Sequence, residues 1–165
     1  MNTQFNNFQK LVNSKFKFRL YLLAKLPMAF FSGLQVKKLN EHSATVIVKH
    51  KWINQNPFRS MYFAVMCMAA ELSTGILANG NVYKRKPSVS MLIVNLKASF
   101  YKKAVGVISF ECNDGKKITE AVETAIQTNV PTTVICTSVG FNEQGEKVAE
   151  FLFEWSFKQS TKQRK

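Results

Sequence analysis

Two periodicities divide the chain. Over residues 8–26 apolar side chains fall at Phe8, Leu11, Val12, Phe16, Leu20, Leu23 and Leu26, with Lys and Arg on the other side. That spacing predicts one amphipathic helix, which Pro27 should stop near Leu26. Residues 1–10 are polar, rich in Asn and Gln, and are expected to fray at their start. Residues 34–39 and 43–50 then read as two strands about the polar turn Asn40-Glu41-His42, with Ala44, Val46 and Val48 alternating against Thr45, Ile47 and Lys49. From Met61 to Ala70 the pattern changes: the run is apolar on every side. A helix of that kind has no solvent face and must lie inside a fold or an interface. It is expected over residues 60–78, with Asn56 or Ser60 as cap, Pro57 near the first turn and Gly80 as terminator.

Alternation returns after a basic loop. Residues 88–101 predict a long strand with Leu92, Val94, Leu96, Ala98 and Phe100 on one face, and Asn95, Lys97 and Ser99 on the other. A strand over 105–112 follows. Asp114-Gly115 marks a turn. Ile118, Ala121, Val122, Ala125 and Ile126 carry helical spacing. Residues 132–141 and 147–158 form a hairpin about Asn142-Glu-Gln-Gly145, with Ala149, Phe151, Phe153, Trp155 and Phe157 on one face of the second strand. Hairpin-like links imply antiparallel pairing. The expected architecture is α+β: one curved antiparallel sheet of about six strands wrapped around a single buried helix. Residues 1–158 form one domain on this reading, and residues 159–165 a basic, disordered tail.

Composition sharpens the picture in three ways. With 165 residues, 46% of them hydrophobic, and 14 Phe, the chain can fill a real core. A net charge of +13 favours polyanions: nucleic acid, acidic membranes or phosphorylated small molecules. The basic helix at the start could itself lie on a membrane surface; the preferred reading is a helix packed on the outside of the domain with a solvated basic face. Cys67, Cys112 and Cys136 form no CxxC pair and are odd in number. They imply reduced, mostly buried thiols in a cytoplasmic protein, with neither a disulfide frame nor a metal site. Residues 20–26 are too short for a transmembrane span and lack a signal cleavage site. His42 and His50 stand alone, as surface residues.

The chemical oddity is Glu71. Only it and Glu41 are acidic before position 111. A carboxylate on an otherwise apolar helix is costly to bury unless it is paired, hydrogen-bonded or neutralised.

The element order resembles the hotdog fold, and the residues extend that likeness. Asn56-Pro-Phe-Arg59-Ser60-Met-Tyr62-Phe63-Ala64, followed by Glu71, resembles a thioesterase motif: an upstream Asn, a Gly-containing helix start, and an acid about two turns in. Across residues 18–158 the chain is similar to an uncharacterised thioesterase-like branch. Its marks are Leu26-Pro-Met-Ala-Phe-Phe31, Asn56-Pro-Phe, Ser60-Met-Tyr-Phe63, Ala70-Glu71-Leu, Ser90-Met-Leu and Trp155-Ser-Phe157. Four departures stand out. Arg59 replaces a common Gly, Tyr62 a common His or Phe, Phe63-Ala64 a pair of glycines, and Gly75 a Thr one turn past the acid, for which Thr74 or Ser73 could substitute.

The resemblance implies an acyl-CoA thioesterase working as a homodimer, possibly a dimer of dimers, without cofactor or metal. Glu71 would be general base and the amide of Phe63 an oxyanion donor, with Asn56 holding water or the carbonyl. Tyr62, Ser60, Arg59 and Thr74 would line the substrate, and Lys84, Arg85, Lys86, Lys102 and Lys103 would meet the phosphates of coenzyme A. Asn56 and Glu71 are 15 residues apart in sequence, a span of about 22 Å on a straight helix. They could cooperate only through a bend or across a dimer. The alternative is a non-catalytic acyl-CoA or fatty-acyl binding module, which Phe63 and Gly75 favour. Nucleic-acid binding has charge behind it but no recognisable motif. A hydratase or dehydratase would want a His beside the acid, and none is near Glu71.

Overall fold

The alternating segments pair into one antiparallel sheet, and the uniformly apolar helix lies against it. A computed structural model describes residues 2–160. The elements run α1 (Phe5–Asn13), α2 (Lys15–Lys25), α3 (Pro27–Ser32), β1 (Gln35–Leu39), β2 (Ala44–Lys49), α4 (Phe63–Val82), β3 (Val89–Phe100), β4 (Val107–Cys112), α5 (Gly115–Thr128), β5 (Thr132–Phe141) and β6 (Lys147–Gln159), with a short 3₁₀ turn at Trp52–Asn54. The six strands order as β1-β2-β4-β5-β6-β3, all neighbours antiparallel. Period-two burial on β2 and β6 turns Ala44, Val46 and Val48, and Ala149, Phe151, Phe153, Trp155 and Phe157, toward the core. There they meet Ala69, Ala70, Ile76 and Leu77 of α4. By length and composition α4 could cross a membrane, but two thirds of it (67%) is buried inside the fold.

The expected elements are present, with five corrections. The single helix over 8–26 is two helices that break at Ser14, whose backbone is extended; the second ends at Lys25, as Pro27 predicts, and Pro27 itself opens a third. Proline suits a first helical turn, where its missing N–H has no partner to lose. The frayed start is also overturned. Phe5 and Phe8 are buried, and the Asn2 carboxamide donates to the carbonyls of Gly80 and Tyr83 at 2.9 and 2.8 Å. This satisfies open carbonyls at the end of α4. Gly80 therefore does not terminate the helix, which continues to Val82. Its missing side chain instead seats a ring, since a Cβ there would stand 2.4 Å from Phe5 Cε2.

The fourth correction concerns β3. A bulge between Ile93 and Asn95 shifts the register, so Met91 and Ile93 oppose Phe157 and Trp155 while Leu96, Ala98 and Phe100 oppose Phe153, Phe151 and Ala149. Partners across a ladder share a face, so the bulge swaps Leu92 and Val94 out of the predicted apolar stripe. β3 is an edge strand that α4 touches only at its margin. As a result Leu96 and Phe100 are exposed although they face the core side. At the chain's end β6 reaches Gln159, and the Ser160 amide bonds the Ser88 carbonyl, so these two positions are ordered rather than tail. The rest of the expected tail, 161–165, lies outside the described residues.

Candidate functional site

Glu71 sits in the middle of α4, partly buried, beside a cavity of about 230 Å³. Lys25, Leu26, Pro27, Met28 and Ala29 wall it on one side, and Met68 and Leu72 on the other. No described cation or hydrogen-bond donor reaches the carboxylate. Burial pushes its pKa up to about 7, because a dry surrounding disfavours the charged form. Burial, and after it the charge of the same acid, raises the Cys67 thiol one turn earlier. The room for the carboxyl comes from Gly75. A Cβ there would lie 2.8 Å from Glu71 Oε1 and 3.3 Å from Trp155 Cζ2.

The neighbouring hydroxyls belong to the scaffold. Thr74 is fully buried; its Oγ1 donates to the Glu71 carbonyl at 3.0 Å and accepts from Trp155 Nε1 at 3.0 Å. Ser73 donates to the Ala70 carbonyl or shares a 2.8 Å bond with Ser138 Oγ. Neither borders the cavity, so the expected substrate contact of Thr74 is corrected. Both hydroxyls bond within α4 and to the sheet, and both residues are fully buried, so neither faces open space.

Asn56 also has a local role. Its Oδ1 accepts from the amides of Phe58 and Ser60 and from Ser60 Oγ, and its Nδ2 donates to the Met61 carbonyl. The carboxamide thus pins the loop 56–61 that delivers the chain into α4, and Ser60, buried, is its partner rather than a helix cap or a substrate contact. Arg59 in that loop has φ +56°, the left-handed region that glycine enters without strain. This accounts for the Gly common at its position in the resembled motif. The deeper anchor is Asn54, which sequence reading missed. It is buried, accepts from the Lys51 amide at 2.7 Å, and donates to the Lys49 carbonyl at 2.9 Å. Its own carbonyl takes the Tyr62 amide.

α4 begins at Phe63 without a side-chain cap, and the Val65 amide already turns back to the Tyr62 carbonyl. The amides of Phe63 and Ala64 precede the first helical hydrogen bond and are free to bind an anion. Tyr62 and Phe63 are exposed and pack edge to face, and Phe63 meets Phe100 at the end of β3. Phe63 and Glu71 are eight residues apart on one helix, about 12 Å along its axis. Neither Phe63 nor Asn56 borders the Glu71 cavity.

Two of the five basic candidates are ion-paired, and a third, Lys84, stands 5.5 Å over the Tyr83 ring. Arg85 pairs with Glu123 at 2.6 Å, its side chain only 11% exposed, and so ties the end of α4 to α5. Lys102 pairs with Glu146 at 2.6 Å. Lys84 and Lys86 instead line a polar hollow with Asn2, Thr3 and Gln4, and Lys103 is exposed. His50, expected at the surface, has its Nε2 shut off from solvent with no hydrogen-bond partner. Cys67, Cys112 and Cys136 are free thiols. Sequence reading also missed Lys25 to Ala29 as cavity wall, although Leu26-Pro-Met-Ala-Phe-Phe31 is among the residues that carry the family resemblance.

A six-stranded curved antiparallel sheet around one long helix defines the hotdog fold. The chain belongs to the family described as a domain of unknown function (DUF4442), whose pattern it matches over residues 15–156. Solved structures share the fold at low identity. A Pseudomonas aeruginosa protein of unknown function, described as a probable thioesterase, is 20% identical with TM-score 0.73, over 88% of this chain and 96% of that one. The Escherichia coli PaaI protein, from the phenylacetic acid degradation operon, is 11% identical with TM-score 0.61, over 88% and 94%. A Haemophilus influenzae thioesterase is 10% identical with TM-score 0.60, over 88% and 92%. No curated protein matches the chain in sequence.

Proposed function

We propose that the protein is a cytoplasmic thioester hydrolase acting on acyl-CoA or a related acyl thioester, with Glu71 as general base. One observation carries this reading: an unpaired carboxyl, held near neutral pKa, borders an apolar cavity. Near neutral pH such a group can both accept and return a proton. Glu71 takes a proton from water as the water oxygen bonds to the thioester carbon. The resulting oxyanion rests on free amides at a helix start, Phe63 and Ala64. The C–S bond then breaks and the leaving thiolate takes the proton back from Glu71. Lys84, Lys86 and Lys103 are the cations left to meet coenzyme A phosphates, and Tyr62 lines the acyl path. Asn56 acts as a positioning residue for the helix start.

The donor and base of one chain stand too far apart for this, so the working unit is a homodimer. Edge strand β3, with Leu96 and Phe100 uncovered on the core side, is the surface a second copy would cover. Pairing there would set one protomer's helix start toward the other's Glu71. The cavity volume of about 230 Å³ falls below the roughly 300–1,000 Å³ of complete small-molecule sites, as half a shared site should. The second reading, acyl binding without turnover, is favoured by Phe63, whose ring stands at the helix start where an acyl carbonyl would have to approach.

A panel of short- to long-chain acyl-CoA thioesters, assayed by release of free thiol with wild type and Glu71→Gln, tests both. Turnover lost in the variant supports the hydrolase. Tight binding without turnover selects the binding module. Retention on heparin with no acyl-CoA affinity sinks both.

A further inference from the structure

α2 is apolar on two opposite sides. Phe18 and Leu22 are buried against the domain. Phe16, Leu20 and Leu23 are 74%, 51% and 43% exposed. At about 100° per residue these three fall within a sector of roughly 60°, turned away from the buried pair, with Lys17 and Arg19 on its two flanks. α3 adds Phe30 to that surface and exposes Met28 and Phe31, at 67% and 59%, beside it. Lys15, Phe16, Arg19, Leu20, Leu23 and Phe30 together line an open, shallow hollow of about 420 Å³. Residues 1–40 contain seven Lys or Arg and no acid.

We infer that the α2–α3 face docks on an anionic membrane surface, with Phe16, Leu20 and Leu23 entering the acyl boundary and Lys15, Lys17 and Arg19 meeting lipid phosphates. An outward apolar stripe bordered by cations on a helix lying flat is the arrangement that binds such surfaces. Charge selects the occupant. A second copy would set Lys15, Lys17 and Arg19 against the same three cations, with no acid in residues 1–40 to offset them. Nucleic acid would match the charge but would find aliphatic Leu20, Leu23 and Met28 where base or backbone contacts need polar groups. The inference stands without the thioesterase reading. Joined to that reading, it makes the site's substrate an acyl thioester drawn from the bilayer, because Lys25 to Ala29 both end this face and wall the Glu71 cavity.

The test is co-sedimentation of the full chain with phosphatidylcholine vesicles and with vesicles of equal phosphatidylcholine and phosphatidylglycerol. Wild type should bind the anionic vesicles and largely ignore the neutral ones. Phe16→Gln with Leu20→Gln, both exposed positions, should weaken binding more than tenfold. Lys15→Gln with Lys17→Gln should weaken it about thirtyfold. Far-UV circular dichroism and light scattering check that fold and oligomer are kept. Equal binding to both vesicle types, or anionic binding that survives Phe16→Gln with Leu20→Gln, overturns the inference, the latter marking a merely general cationic attraction. So does a dimer that falls apart in that variant, which would assign the face to a second copy. Glu71→Gln should bind vesicles like wild type, so loss of hydrolysis and loss of docking remain separate results. If both readings hold, anionic vesicles should raise turnover of long-chain acyl-CoA in wild type and not in the Phe16, Leu20 variant.

Discussion

Glu71 and Gly75 share one space. The carboxyl Oε1 lies 2.8 Å from where a Gly75 Cβ would stand, with the Trp155 ring closing the far side. The longer acid therefore needs the absent side chain four residues on, and the Gly that looks like a departure from the Thr of the resembled pattern is matched to it. Gly75→Thr should displace the Glu71 carboxyl and lower thioester turnover at least tenfold, with a stability cost of about 1–3 kcal/mol from overpacking. Glu71→Asp, which draws the carboxyl back, should restore part of both when added. Thermal melts and turnover on the four members of that cycle check the coupling. Strictly additive losses would show that the two positions do not interact.

Glu71 also sets a pH dependence. Its folded pKa of about 7 lies above the ordinary value of 4.5. Between those values the folded state binds more protons than the unfolded one, so stability falls as pH rises through that window and levels off above about 7. The full difference is on the order of 3 kcal/mol. Glu71→Gln removes it. Urea midpoints of wild type and variant should therefore diverge from pH 5 to pH 8, with wild type losing ground. Turnover should move the opposite way in wild type, rising toward pH 7 and above as the base ionises.

The Thr74 hydroxyl links the Trp155 indole to the α4 backbone. Thr74→Val keeps the shape and leaves the buried indole N–H without an acceptor. The expected loss is about 1–3 kcal/mol of stability, with turnover per folded molecule unchanged. A large fall in kcat with normal stability would return Thr74 to the site.

The basic loop after α4 should split in two. Arg85→Ala breaks the pair with Glu123 and should cost about 1–2 kcal/mol in stability, with little change in KM. Lys84→Ala with Lys86→Ala should leave the melting temperature alone and raise KM for a CoA thioester several-fold, but not for an acyl thioester lacking the phosphates.

At the sheet edge, Leu96→Lys should convert a dimer into a monomer by light scattering and lower turnover with it. A monomer that keeps full turnover would mean that each chain carries a complete site.

The fold was readable because its two strongest signals are local: alternation in β5 and β6, and the absence of any polar side on α4 before Glu71. What could not be read depends on partners distant in sequence. Nothing near Gly80 reveals that Phe5 fills the space above it. Nothing near Asn2 reveals that its amide seats on Gly80 and Tyr83. The β3 bulge is set by its fit to β6, so strict alternation misplaced Leu92 and Val94. At the site, Glu71 was conspicuous by type, as a lone acid in an apolar run. Thr74 and Asn56 were chosen for chemistry they could do; their hydrogen bonds to Trp155 and to the loop 56–61 are tertiary and loop facts that residue type does not carry.

The tie between the first residues and the end of α4 has a consequence for synthesis. Phe5 and Asn2 have no seat until Gly80 and Tyr83 have followed them out of the ribosome. The leading helices therefore wait undocked while half the protein is made, with the inward rings of α1 and α2 bare. That interval is when a chaperone would find them.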